Sequence, residues 1–234
     1  MTGHRPDAPD APSSSGRAAR PASAPGASTH GAAPRTVVLD LGNVLIRWDP
    51  LAALAAALGE EEARRFLAAD DFDFGAWNAA LDAGRSWAEA EAEVARTHPH
   101  WAEHVRSYRP NFAHALTGAI QDTVAVLEDL HAAGVPLVAL TNWSAETFPH
   151  AIRTFGFLSL FDDIVVSGEV GLAKPDPAIF ALLRERVRRP LDECVFVDDS
   201  PANVAAAAEA GMDAILFEDT RHLRDDLHAR GLPV

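Results

Sequence analysis

The sequence predicts an α/β domain in which a parallel sheet is flanked by helices and a helical insertion follows the first strand. Five short apolar runs carry this prediction: Thr36–Leu39, Pro136–Leu140, Ile164–Val166, Cys194–Val197 and Ala214–Phe217. Continuous apolar runs of this length read as strands buried on both faces. Each is separated from the next by enough chain for a helix or more, the rhythm of strands laid parallel through crossover connections. The interval from about Trp48 to Arg109 breaks that rhythm, being alanine-rich and helical in period with no convincing strand.

In chain order, the first 35 residues stand apart. Gly, Pro, Ala and Ser make up 24 of them, and Val, Leu, Ile and aromatic residues are absent. No core can be built from this composition, so 1–35 is expected to be a disordered tail, although a start codon assigned too far upstream has the same appearance. The strand beginning at Thr36 runs into Asp40 and the loop Leu41-Gly42-Asn43-Val44, giving a first core segment over 36–47. Residues 48–115 form the helical insertion, with Leu54, Phe66, Trp77, Leu81, Trp87 and Val94 among its apolar faces. The remaining strands and helices return to the core over 116–234.

Composition limits the partners. With 48% hydrophobic residues in 234, the chain can bury a full core. A formal net charge of -14 argues against binding nucleic acid through a general basic surface, and no apolar run is long enough to cross a membrane. The single cysteine, Cys194, excludes an intramolecular disulfide and suits a reducing, cytoplasmic setting. Its place before Val195-Phe196-Val197 marks it as a buried apolar residue. An anionic substrate then needs local positive groups or a metal ion. Oligomeric state has no signature in the sequence.

In open parallel sheets, ligands bind beyond the carboxyl ends of the strands. Those ends carry Asp40, Thr141 with Asn142, and Asp198 with Asp199, and the loop after the third strand carries Lys174. Lys174 is the only lysine among 20 basic Lys and Arg residues. A compact ammonium with three rotatable donors fits a small anionic pocket that a planar guanidinium does not. Singly, a strand-end aspartate often caps a helix, and Thr or Asn often closes a turn. All of them in order are harder to explain that way.

With these residues in this order, the chain resembles the haloacid dehalogenase (HAD) superfamily, most of whose members are Mg-dependent phosphatases. The resemblance rests on Asp40, on Leu140-Thr141-Asn142, on Lys174-Pro175, and on Val197-Asp198-Asp199-Ser200 with Asn203, and it runs from Thr36 to about Phe217. It implies a Rossmann-like doubly wound core with a helical cap over 48–115. It also implies that Asp40 is the nucleophile of an aspartyl-phosphate mechanism and that Asp40, the Gly42 carbonyl and Asp199 hold Mg²⁺. Asp198 then either ligates or supports Asp199 electrostatically. Thr141, Asn142 and Lys174 are implied to bind the phosphoryl group of a small phosphorylated metabolite, and Asn203 to tether its loop.

One position departs from the pattern. Family phosphatases usually carry a second aspartate two residues after the nucleophile, where this chain has Gly42. Losing a general acid typically costs ~10²–10⁴-fold, least when the leaving group is a weak base. The pattern Asp40-Leu41-Gly42-Asn43-Val44 resembles the sugar-phosphate phosphatase branch, some of whose members act on anomeric phosphates. Alternatively, Asp49, a water on Asn43, or one of His98, His100, His104 and His114 supplies the proton. A 2-haloacid dehalogenase, which also lacks that aspartate, is a further reading, but those enzymes replace the acidic pair that Asp198 and Asp199 form here. A non-catalytic phosphate-binding or scaffold role is the last. Trp48, Phe72, Phe74, Trp77, Arg85 and Trp101 are the candidates for choosing the substrate, and Arg47 for reaching a second anionic group on it.

Overall fold

The computed structural model describes residues 35–234. The expected tail, apart from Arg35, lies outside the described residues. Arg35 is anchored, its Nη1 lying 2.7 Å from the Asp213 carboxylate.

Five strands form one parallel sheet: β1 (Thr36–Leu39), β4 (Leu137–Thr141), β5 (Asp163–Val166), β6 (Cys194–Asp198) and β7 (Asp213–Leu216). Their order across the sheet is β5-β4-β1-β6-β7, so the first strand is central. The five apolar runs read from the sequence fall on these strands to within a residue or two at each end. Successive side chains of a strand face opposite ways. Val37 and Leu39 accordingly join the apolar cluster that continues into the insertion, while Val38 joins Val138, Leu140 and Phe196 on the other face. Helices α6 (Gln121–Ala132), α9 (Pro177–Val187), α10 (Pro201–Glu209) and α11 (Thr220–Ala229) flank the sheet, with the shorter α7 (Phe148–Thr154) and α8 (Ser167–Val170) in its loops. Cys194 is fully buried, and burial pushes its thiol up to about 11. Among the described residues no helix is long and apolar enough to cross a membrane.

A second, two-stranded antiparallel ribbon pairs β2 (Ile46–Trp48) with β3 (Leu116–Ala119). At three and four residues these strands give no periodic signal, and the sequence analysis assigned neither. The ribbon carries the insertion: α1 (Pro50–Leu58), α2 (Glu60–Leu67), α3 (Phe74–Asp82), α4 (Trp87–Thr97) and α5 (Ala102–Ala115) all lie between its strands. Asp49, Asp73 and Ser86 cap α1, α3 and α4 by accepting from the amides of Leu51, Ala76 and Glu89. The helices close over an aromatic core in which Phe74 meets Tyr108 at 5.2 Å and Trp77 meets Trp87 at 5.5 Å between ring centroids.

Candidate active site

Register places the site. Leu39 pairs with Ala139 on one side and Val197 on the other. Asp40 therefore leaves the central strand between the ends of β4 and β6, level with Leu140 and Asp198 and one residue short of Thr141, and its amide donates to the Val197 carbonyl at 2.9 Å. Lys174 reaches into this rim from the loop after α8. Its Nζ lies 2.9 Å from Asp40 Oδ1, 2.7 Å from Asp198 Oδ2 and 2.6 Å from the Leu140 carbonyl oxygen. All three ammonium donors are thus matched to acceptors on three neighbouring strands, and the side chain is 1% exposed.

The charges are strongly coupled. Burial alone lowers the pKa of Lys174, but the charges of Asp40 and Asp198 outweigh it and raise the value above its usual range. Burial raises Asp40 to about 6, with Lys174 opposing and Asp198 reinforcing the rise. Asp199 is likewise raised by burial and by Asp198, while the Asn43 side chain opposes. One ammonium faces three carboxylates, whose oxygens in Asp40, Asp198 and Asp199 lie within 4.8 Å of one another. That oxygen-only, net negative donor set fits a hard divalent cation such as Mg²⁺.

The remaining expected residues hold different positions. Asp198 accepts from Lys174, from the Ser200 amide at 2.8 Å and from Asn203 Nδ2 at 2.9 and 3.1 Å, so both of its oxygens are engaged. Asn203 tethers this loop through Asp198. Asn142 clamps the backbone of Lys174, donating to its carbonyl at 2.8 Å and accepting from its amide at 2.9 Å. Its side-chain amide is therefore already committed. Thr141 Oγ1, by contrast, is buried without a partner among the described residues, a hydroxyl waiting for an acceptor. Asn43 adopts a left-handed backbone (φ 54°) and accepts from the Trp48 amide at 3.3 Å. Gly42 does not owe its presence to such strain. A Cβ built there would meet nothing nearer than Asp40 Oδ2 at 4.0 Å, so the backbone and its neighbours leave room for a Cβ at this position.

Beside Asp40 opens a cavity of about 120 Å³ lined by Gly42, Trp48, Asn78, Asp82, Phe112, Asn142 and Trp143. Of the candidates named for substrate choice, Trp48 alone lines it. Phe72, Phe74, Trp77 and Trp101 pack within the insertion, and Arg85 pairs with Glu93. Arg47 donates to the Ala119 carbonyl across the ribbon. No histidine lines the cavity: His100 and His104 pair with Asp71 and Glu62, His98 with Thr97, and His114 is exposed. Asp49 is spent on its helix cap.

Asp82, Ser144 and Ser167 were not among the residues expected from the sequence. Ser167 is fully buried; its Oγ accepts from the Trp143 amide at 2.9 Å and donates to the Asp82 carbonyl at 2.5 Å. Ser144 Oγ accepts from Trp87 Nε1 at 2.9 Å. Beside Ser167, a Cβ on Gly168 would stand 2.5 Å from the Ala145 nitrogen and 2.7 Å from the Trp143 carbonyl. We expect Gly168→Ala to push back the segment that carries Asn142 and Trp143. Overpacking of this kind costs about 1–3 kcal/mol, so urea denaturation should show a lower midpoint with an unchanged slope.

The chain is 31% identical over 191 residues to a phosphoglycolate phosphatase of Cereibacter sphaeroides, covering 80% of this chain and 86% of that protein. It is 29% identical over 204 residues to drimenol cyclase drtB of Aspergillus calidoustus, covering 82% of this chain but 35% of the relative. A (S)-2-haloacid dehalogenase of Pseudomonas sp. is 26% identical over 106 residues, 45% of this chain and 46% of that protein. The chain thus spans less than two thirds of several of its curated relatives. A crystal structure of a HAD family enzyme of Bacteroides thetaiotaomicron, complexed with magnesium and inorganic phosphate, superposes with a TM-score of 0.62 at 20% identity. It covers 82% of this chain and 99% of that one, a likeness of fold. Residues 34–211 match the haloacid dehalogenase-like hydrolase family, to which this chain belongs.

Proposed function

We propose that the protein is a Mg²⁺-dependent phosphatase that hydrolyses a small phosphomonoester, a sugar phosphate, through an aspartyl-phosphate on Asp40. The observation that carries this reading is the convergence of one buried ammonium and three carboxylates beside the unpartnered hydroxyl of Thr141. A carboxylate attacks a phosphate only when the repulsion between the two anions is relieved. When bound, Mg²⁺ supplies that relief and polarises the phosphoryl oxygens. Asp40, the Gly42 carbonyl and Asp199 would hold it, with Asp198 chiefly orienting Lys174 and so acting one step removed.

The chain's own groups do the rest. Lys174 steers the free oxygen of Asp40 toward phosphorus and offsets charge on the transferring group. Thr141 Oγ donates to a phosphoryl oxygen. Asn142 contributes by fixing the Lys174 backbone, and so supports the phosphate site from behind. Two features favour a compact ester: a cavity of about 120 Å³, small beside the ~300–1,000 Å³ of drug-sized sites, and the mix of Asn78, Asn142 and aromatic walls that suits a polar, ring-bearing substrate. The relatives include phosphatases, which supports a phosphorylated substrate.

The test is phosphate release from a panel of sugar phosphates, nucleotides and acyl phosphates, with Mg²⁺ and with EDTA, alongside halide release from 2-haloacids. We expect turnover on sugar phosphates that EDTA abolishes and Mg²⁺ restores. Halide release without metal, and no phosphate release, would replace this reading by dehalogenation. Asp198 and Asp199 stand against that outcome, since without a cation they place unbalanced negative charge beside the nucleophile.

A further inference from the structure

The cavity beside Asp40 has one ionisable side chain that the reading above does not use. Asp82 ends α3, lines the same cavity as Gly42, and is held from two sides. Its Oδ2 accepts from Asn78 Nδ2 at 2.9 Å, one helical turn back, and the carboxylate also accepts from the Ser144 backbone amide. Its own carbonyl is fixed by Ser167. A carboxyl group pinned at this many points on a helix end is preorganised, and the cavity is the space left for it to address.

We propose that Asp82, reaching over from the helical insertion, is the general acid that protonates the leaving-group oxygen, taking the part left vacant at Gly42. This rests on the phosphatase reading. As Asp40 Oδ bonds to phosphorus, the bond from phosphorus to the ester oxygen breaks, and the Asp82 proton passes to that oxygen so that a neutral alcohol leaves. The Asp82 carboxylate then takes a proton from the water that attacks the phosphorus of the aspartyl-phosphate; the bond from phosphorus to Asp40 Oδ breaks, its electron pair returns to the Asp40 carboxylate, inorganic phosphate leaves, and Asp82 is again protonated.

The surroundings support the protonation state this requires. Burial raises Asp82 to about 7, with the Ser144 amide opposing and the charge of Asp40 adding to the rise. Among the described residues no cation offsets the rise of Asp82. The groups around it are Asn78 of its own helix, Asp40 at the end of β1 and Tyr108 of α5, whose phenol is raised mainly by burial and further by the Asp82 charge. On the flanking helices, Glu169 of α8 is exposed and Glu93 of α4 is paired with Arg85. A carboxyl poised near neutrality is suited to give and retake a proton within one cycle.

The experiment is a leaving-group series in Mg²⁺, from p-nitrophenyl phosphate to glycerol phosphate, run on the wild type across pH and on Asp82→Asn. The expected result is a split. Asp82→Asn loses ~10²–10⁴-fold in kcat/KM on the alkyl ester and less than ~5-fold on the aryl ester, which leaves without a proton. In the wild type, alkyl-ester turnover falls as pH rises through about 7, where the acid is lost, and aryl-ester turnover does not. Equal loss on both esters, or wild-type profiles with the same alkaline limb, overturns the assignment while leaving the phosphatase reading intact. No turnover on any ester by the wild type sinks both. The wild-type profile needs no variant, so a folding defect in Asp82→Asn does not shield the proposal.

Discussion

Asp40→Asn should lose at least ~10⁴-fold in kcat on whichever phosphate ester the wild type hydrolyses, and should form no covalent phosphoenzyme under rapid quench. The fold should survive. Asparagine still offers its carbonyl oxygen to Lys174 Nζ, which now lies 2.9 Å from Asp40 Oδ1. It also removes a carboxylate whose burial is unfavourable. The pKa of Asp40 is raised from 3.8 to about 6, so the folded state favours the protonated form, and stability is given up as pH rises between those values. At pH 7.5 that cost is fully present in the metal-free wild type and absent in the variant. Thermal melts without metal should therefore show the variant at least as stable as the wild type. Turnover within tenfold of wild type would remove Asp40 from the nucleophile's role.

Lys174→Met tests the opposite half of the same charge balance, and here both stability and activity should fall. Asp40 and Asp198 would be left as buried carboxylates facing each other without their shared cation. Removing one partner of a buried ion pair typically costs about 3–5 kcal/mol. The raised pKa of Lys174 gives the sign: its charge adds stability throughout neutral pH, and the contribution is lost only when pH climbs through the elevated value. The variant should melt well below wild type in EDTA and regain part of the difference in millimolar Mg²⁺, because a cation among the three acidic residues replaces some of the missing charge. Lys174→Arg should not rescue turnover. Three acceptors at 2.6 to 2.9 Å in three directions suit a small ammonium and leave no room for a planar fork. A Lys174→Met protein as stable as wild type in EDTA would show that the two carboxylates do not depend on it.

What the sequence disclosed and what it withheld divide along a physical line. Asp40, Thr141, Lys174 and the Asp198-Asp199 pair were legible because each follows a strand that announces itself by continuous apolar residues, and a parallel sheet necessarily gathers such ends on one rim. The uniqueness of Lys174 is a matter of composition alone. The β2–β3 ribbon was not legible, since three or four residues cannot establish a period. The clamp that the Asn142 side chain places on the Lys174 backbone was not legible either, because it is decided by how the loop after α8 folds back, which no local pattern encodes. Asp82 was hidden for a further reason. In Leu81-Asp82-Ala83-Gly84 it reads as an ordinary helix end, and only the docking of α3 against α8 turns it toward the cavity. Asn78 and Asp82, four residues apart on one helical face, were the available hint that a polar stripe ran along a helix otherwise given to packing.

The same contacts that orient Asp82 bind the insertion to the segment following Thr141. Trp87 holds Ser144 and Glu146, Arg109 pairs with Glu146 at 2.6 Å, and Ser167 joins the Trp143 amide to the end of α3. The helices that line the cavity are thus latched to the loop proposed here to hold the phosphate, and such a latch runs both ways. On the reading proposed above, seating a phosphoryl group against Thr141 and closing the helices over the cavity would favour each other by the same free energy. Entry and exit are in this sense a single equilibrium read at two places.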